Sequence, residues 1–256
     1  MLYVKGKGGI YMRNKLIIVA LAIFCFSLFI FAQEKTLIQQ GDELYAQRED
    51  LSKAEEAIKK YQEAIAKGEN KYEAYWKIAK TLYYIGSHKS NKKEKQRIFS
   101  QGIYYAKKAV DLEPEKPEGI FWLATLRGVW GETRGVLRSL FLVKPIMNGY
   151  RKVLKIAPEL EGGGPDRALG RVYYKLPGFA GGSKKKSLEH LLRSKEICPT
   201  NPLTRIYLAE TYLALKEKDK ARKELQELIA MEPDPRWIPE TKELKELAKE
   251  MLKKIK

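Results

Sequence analysis

Beyond residue 33 the apolar positions recur on a helical period, and no stretch keeps up the two-residue alternation of a half-buried strand. The pattern is clearest near the C-terminus. From Pro202 to Pro235, Leu208, Ala209 and Tyr212 mark one helix, Ala221, Leu225 and Leu228 mark a second, and Pro233 stops it. These marks predict a helical hairpin of about 34 residues, with small residues where helices approach closely and large ones filling the space between. The second-helix marks recur as Ser187, Leu191, Ser194 and Pro199, as Ile146, Tyr150, Val153 and Pro158, and as Gly102, Ala106, Ala109 and Pro114. An earlier copy, Ala57, Tyr61 and Ala64, closes with Gly68 in place of proline.

The matching first helices carry Gly41 with Leu44, Ile78-Ala79 with Leu82, Leu123-Ala124, Leu169-Gly170 with Tyr173, and Leu208-Ala209 with Tyr212. Recurrence at this spacing predicts an all-α, tetratricopeptide-type helical-hairpin solenoid with about five repeats and a C-terminal capping helix. Residues 33–238 form the solenoid. Residues 239–256, with Leu244, Leu247, Met251 and Ile255 expected on one face, form the cap.

Extra residues fall between the two helices of repeats one to four, at turns that a hairpin solenoid presents along one side. The second insert, Ser87 to Phe99, is lysine-rich, and the fourth contains Lys184-Lys185-Lys186. Lys92, Lys93, Lys184, Lys185 and Lys186 are therefore the candidate partner-binding basic edge, against the alternative of simple solvated turns. The third insert, Val136 to Val143, is too apolar for an exposed turn and is expected to extend a helix or fold over the concave side. With it, Phe121, Trp122, Trp130, Phe141, Tyr173, Tyr174 and Phe179 are the candidate lining of an apolar pocket, the alternative being that these aromatics pack the core.

The net charge of +17 raises polyanions as partners. No nucleic-acid module is recognisable, and the lysines alternate with glutamates as on solvated helix faces, so nucleic acid is set aside. Met12-Arg13-Asn14-Lys15 followed by the apolar run Leu16 to Phe31 reads as an export signal over residues 1–32, with Ala32 at a cut site. Cleavage, retention as an anchor and lipid attachment at Cys25 stay open, and membrane contact is expected only through this segment. If it is cleaved, Cys198 is the one cysteine left, so no internal disulfide supports the fold.

Gly163-Gly164-Pro165-Asp166-Arg167-Ala168-Leu169-Gly170-Arg171-Val172-Tyr173-Tyr174-Lys175-Leu176-Pro177-Gly178-Phe179-Ala180-Gly181-Gly182-Ser183 resembles the T component of tripartite ATP-independent periplasmic (TRAP) transporters, as does Leu137 to Pro145. The resemblance spans roughly Tyr72 to Pro233. It implies a periplasmic accessory protein that associates with the transporter's solute-binding protein, carries a hydrophobic small molecule and admits self-association into a ring. Members of that family are often lipoproteins, whereas here Phe24 stands where lipid attachment at Cys25 wants a small residue. From the residues themselves, Gly162-Gly163-Gly164-Pro165 is a turn leading into a helix, Pro177-Gly178 ends that helix, and Ser183 is a cap for the next.

Reactive chemistry is sparse. His88 and His190 lack neighbouring cysteines or carboxylates at ligand spacing, so neither metal nor cofactor is expected. The glycine run has no following Lys-Ser or Lys-Thr pair and is not a phosphate loop. Carboxylate pairs such as Glu55-Glu56 sit among lysines as ion-pair partners. The expectation is a binding protein and not an enzyme: a transport accessory first, an envelope scaffold for protein assembly second.

Overall fold

The computed structural model describes residues 35–255; the export segment and the question of Cys25 lie outside them. Eleven α-helices follow one another among the described residues. Five antiparallel hairpins are formed by α1 (Leu37–Ala46) with α2 (Leu51–Lys67), α3 (Lys71–Ser87) with α4 (Lys92–Leu112), α5 (Pro117–Arg134) with α6 (Val143–Ile156), α7 (Gly164–Lys175) with α8 (Lys184–Ile197), and α9 (Pro202–Ala214) with α10 (Lys218–Ala230). The helix α11 (Ile238–Lys254) caps the stack. None of these helices is long and apolar enough to cross a membrane.

The boundaries are chemical. Asp50, Asn70, Asn91, Ser183 and Asn201 each accept a backbone N–H of the helix that follows, satisfying donors a helix start leaves free. Gly68 ends α2 at φ 76°, a left-handed conformation that glycine adopts without a Cβ penalty. The repeat marks are the core: Ala57, Tyr61 and Ala64, Gly102, Ala106 and Ala109, Ile146, Tyr150 and Val153, Ser187, Leu191 and Ser194, and Ala221, Leu225 and Leu228 are all buried. Gly41 shows why a small residue is needed. A Cβ there would fall 2.3 Å from Tyr61 Cε1, inside a ring that is itself buried and donates its hydroxyl to Asp42 at 2.8 Å.

Two expectations are corrected. Most of the lysine-rich insert is helix, because Asn91 caps α4 and Lys92 to Phe99 form its first two turns. On α11, Leu247 is exposed while Thr241 and Ala248 are buried, with Leu244, Met251, Leu252 and Ile255 packed on the last repeat. The helical period through Thr241 and Ala248 turns Leu247 outward. The apolar third insert folds as a short 3-10 segment, Leu137–Leu142, pinned where Ser139 Oγ donates to the Gly131 carbonyl at 2.9 Å.

The stack curves until its two ends meet. Arg48, just after α1, donates from Nε and Nη2 to the Glu240 carboxylate of α11 at 2.9 and 2.6 Å, and from Nη2 to the Arg236 carbonyl at 2.8 Å. Lys242 pairs with Glu49, and His88 Nε2 meets Glu243 at 3.2 Å. Burial pulls the Arg48 guanidinium down, but its hydrogen bond to Glu240 and the surrounding negative potential hold it above its ordinary value.

Candidate ligand-binding channel

The ring so closed surrounds a cavity of about 370 Å³, bordered by residues of the first helices of the hairpins and by α11. Its volume lies in the range of small-molecule sites. On α5 the bordering residues Phe121, Thr125, Gly128 and Glu132 follow the three-to-four spacing of one helical face, as do Gly164, Ala168, Arg171 and Lys175 on α7. Apolar side chains of Leu142, Val143 and Ile146 close one wall.

Of the seven residues expected in the pocket, the channel includes two. Phe121 and Trp122 border it, their rings edge-on at 5.2 Å, with Tyr83 5.5 Å from Trp122. The other five are elsewhere. Trp130 lies under Arg134 at 4.9 Å, Tyr173 stacks on His190 at 5.4 Å, and Tyr174 carries the Lys184 ammonium 3.7 Å from its ring centre. Phe141 and Phe179 are 68% and 81% exposed. Helical rotation accounts for the tyrosines: the channel face of α7 passes through Ala168, Arg171, Val172 and Lys175, and Tyr173 and Tyr174 lie to the side of it.

The polar side of the channel has no counterpart in the repeat pattern. The chain at Glu161, Gly162 and Gly163 runs through three successive positive φ angles of 51°, 61° and 72°. A Cβ at Gly162 would meet Trp237 at 2.5 Å, so the turn is both left-handed and crowded. It aims the Glu161 and Gly162 carbonyls at Arg167, which donates to them from Nη2 at 3.0 Å and Nη1 at 2.9 Å. Burial depresses the Arg167 pKa, with Glu161 acting against it. Glu161 itself pairs with Lys80 at 2.8 Å, and Lys80 sits 5.7 Å from the Trp122 ring.

Tyr83, Tyr150 and Tyr207 arrive from α3, α6 and α9. They are deep in the molecule, and the opening that Tyr83 and Tyr207 retain is toward the cavity. Burial raises all three phenols, so they stay protonated at any physiological pH. Tyr150 is a repeat mark, but a period-based reading has no means of joining it to Tyr83, Tyr207 and Arg167, which converge from other repeats and a turn.

The candidate basic edge is split in the same way. Lys92 and Lys93 begin α4 and are exposed, and Lys185 and Lys186 in the first turn of α8 are exposed too. Lys184 is not free: its ammonium donates to the Tyr174 carbonyl, and burial followed by the charges of Arg171 and Lys175 lowers its pKa. His190, isolated in the sequence, has a carboxylate after all. Its Nδ1 lies 2.6 Å from Asp166 Oδ1, a buried group that also accepts from Arg193 at 3.2 Å. No cluster of three metal-ligating side chains occurs among the described residues.

The geometry defines a tetratricopeptide-type solenoid, and the comparisons agree. Residues 193–238 match a tetratricopeptide repeat family, and residues 37–156 match the family described as regulator of microtubule dynamics protein 1-3. No curated protein matches the chain. Among solved structures, the thermophilic TPR protein TTC0263 of Thermus thermophilus is 18% identical over 84% of this chain and 97% of that one, with a TM-score of 0.63. MamA is 17% identical over 70% of this chain and 89% of its own, with a TM-score of 0.45. The APC/C hetero-tetramer Cut9-Hcn1 is 11% identical over 91% and 52%, with a TM-score of 0.32. The likeness to the Thermus protein is one of fold.

Proposed function

We propose that this protein is a non-catalytic binding component of the cell envelope that holds a small, largely apolar molecule in the channel of its closed solenoid. The carrying observation is the cavity itself, bordered by Phe121, Trp122 and the apolar wall of Leu142, Val143 and Ile146. The resemblance of Gly163 to Ser183 and of Leu137 to Pro145 to TRAP T components supports a role as accessory to a periplasmic solute transporter, with its solute-binding protein as partner. The apolar run Leu16 to Phe31 behind Arg13 and Lys15 supports export.

Native mass spectrometry of the protein purified from its own envelope tests this. The expected spectrum carries a non-covalent small molecule and, after mild cross-linking, a solute-binding protein. A protein that is consistently bare, and whose tryptophan fluorescence no apolar compound changes, would sink the proposal.

A second reading, a scaffold for protein assembly, is favoured by the exposed Leu137, Phe141 and Phe179 on the turns within hairpins three and four. The exposed Lys92 and Lys93 at the start of α4 and Lys185 at the start of α8 point the same way, since cations at a helix N-terminus oppose the helix dipole.

A further inference from the structure

The cavity contains more positive charge than its own carboxylates neutralise. Four carboxylates border it, and each already has a partner: Glu132 with Lys175 at 3.6 Å, Glu161 with Lys80 at 2.8 Å, Glu240 with Arg48 at 2.6 Å and Glu243 with the His88 imidazole at 3.2 Å. Of the bordering cations, Arg171 is taken by Glu210 and Arg236 by Asp234, while Arg127, partly exposed at the border, and Arg167, buried, form no ion pair among the described residues. Arg167 has no carboxylate of its own among the described residues. It is 9% exposed, and its two hydrogen-bond partners are main-chain carbonyls, which orient the guanidinium without neutralising it.

A buried charge in that position is costly unless something compensates it. A guanidinium offers five N–H donors, so the two carbonyls leave donors to spare. Around it, Tyr83, Tyr150 and Tyr207 border the same cavity, and each lies within electrostatic reach of Arg167. Tyr150 donates to Thr125 Oγ1 at 3.1 Å. Trp122 is 5% exposed and borders the cavity through its ring, while its indole Nε1–H is turned away from the open space and buried.

We propose that the channel takes a carboxylate amphiphile, a small molecule whose single carboxylate faces Arg167, with Tyr83 and Tyr207 as further donors, and whose apolar body lies along Phe121, Leu142 and Ile146. One guanidinium matches one carboxylate in charge and in bidentate geometry. The inference rests on reading the cavity as a binding site, and it adds the polarity of the guest.

The test titrates the purified protein with decanoate, decyl phosphate and decanol, following tryptophan fluorescence and heat. Decanoate is expected to bind at least about tenfold more tightly than decanol, the scale of one charge-assisted contact. In Arg167→Gln that preference should shrink to within about twofold, reporting the lost contact. If Arg167→Gln loses helix content by circular dichroism, the Tyr83→Phe/Tyr207→Phe pair, which keeps both rings, is read instead, and its decanoate-to-decanol ratio should fall in the same direction. Equal affinity for decanoate and decanol in the unaltered protein overturns the carboxylate site and leaves the binding channel standing. Decyl phosphate binding more tightly than decanoate overturns the choice of head group. If none of the three binds, the channel proposal falls together with this one.

Discussion

At the scale of single residues, two glycines on first helices of their hairpins should respond oppositely to the same change. Gly41→Ala puts a methyl 2.3 Å from Tyr61 Cε1, and that ring is fixed by burial and by its bond to Asp42. The expected cost is about 1–3 kcal/mol of overpacking, more than the roughly 1 kcal/mol that alanine gains in helix propensity. Gly128→Ala meets nothing within 4 Å, so it should stabilise by up to about 1 kcal/mol. Urea unfolding followed by circular dichroism measures both, and the same sign at both sites would contradict the packing argument. Gly41 is legible in the sequence because its spacing to Leu44 repeats down the chain. Arg167 is not: beside Asp166 it reads as half of a surface ion pair, yet Asp166 is committed to His190 and Arg193. Trp122 does border the channel, as its sequence context suggests, but an aromatic residue carries no mark of which helix face it will occupy.

At the scale of elements, the hairpins are legible because their marks recur, whereas inserts and the cap occur once and have no internal check. The cap shows how a stripe goes wrong. A count of large apolar residues puts Leu247 on the buried face, but small Ala248 holds that position, since a closely approaching helix needs a small side chain more than a large one. The joint between the last repeat and the cap has its own electrostatics. The hydrogen bond from Arg236 holds the Asp234 carboxyl well below its usual range. Burial pushes Glu227 up, but hydrogen bonding from Arg205, with the charges of Lys195 and Arg205, brings it below its ordinary value. Both carboxylates are thus depressed in the folded protein, and they contribute stability above the unfolded values of about 4 that is lost as pH falls through the folded ones. Calorimetry should show a melting temperature that declines in this acid range, and Asp234→Asn should make the decline shallower. An unchanged slope in that variant would assign the acid sensitivity to other groups.

At the scale of the whole molecule, the junction at Arg48 decides whether the solenoid is open or closed. Arg48→Ala removes that residue's own three hydrogen bonds across the junction and leaves the Glu240 carboxylate without its partner. Breaking a buried pair in this way costs about 3 kcal/mol or more, and Glu240's partial exposure places the expectation at the low end. Hydrogen exchange should then quicken along α11 while α7 and α8 stay protected; uniform quickening would mean that the junction is not a separable contact. In an open array of helical hairpins each unit touches only its neighbours, so units can be duplicated or deleted one at a time. Here the first hairpin is joined to the last helix, and a sixth repeat or a fourth would carry Glu240 away from Arg48. Closure therefore ties the repeat number to the reach of Arg48, whereas added length at the turns inside the hairpins, where Leu137–Leu142 and Gly178–Ala180 already stand, leaves that junction in place.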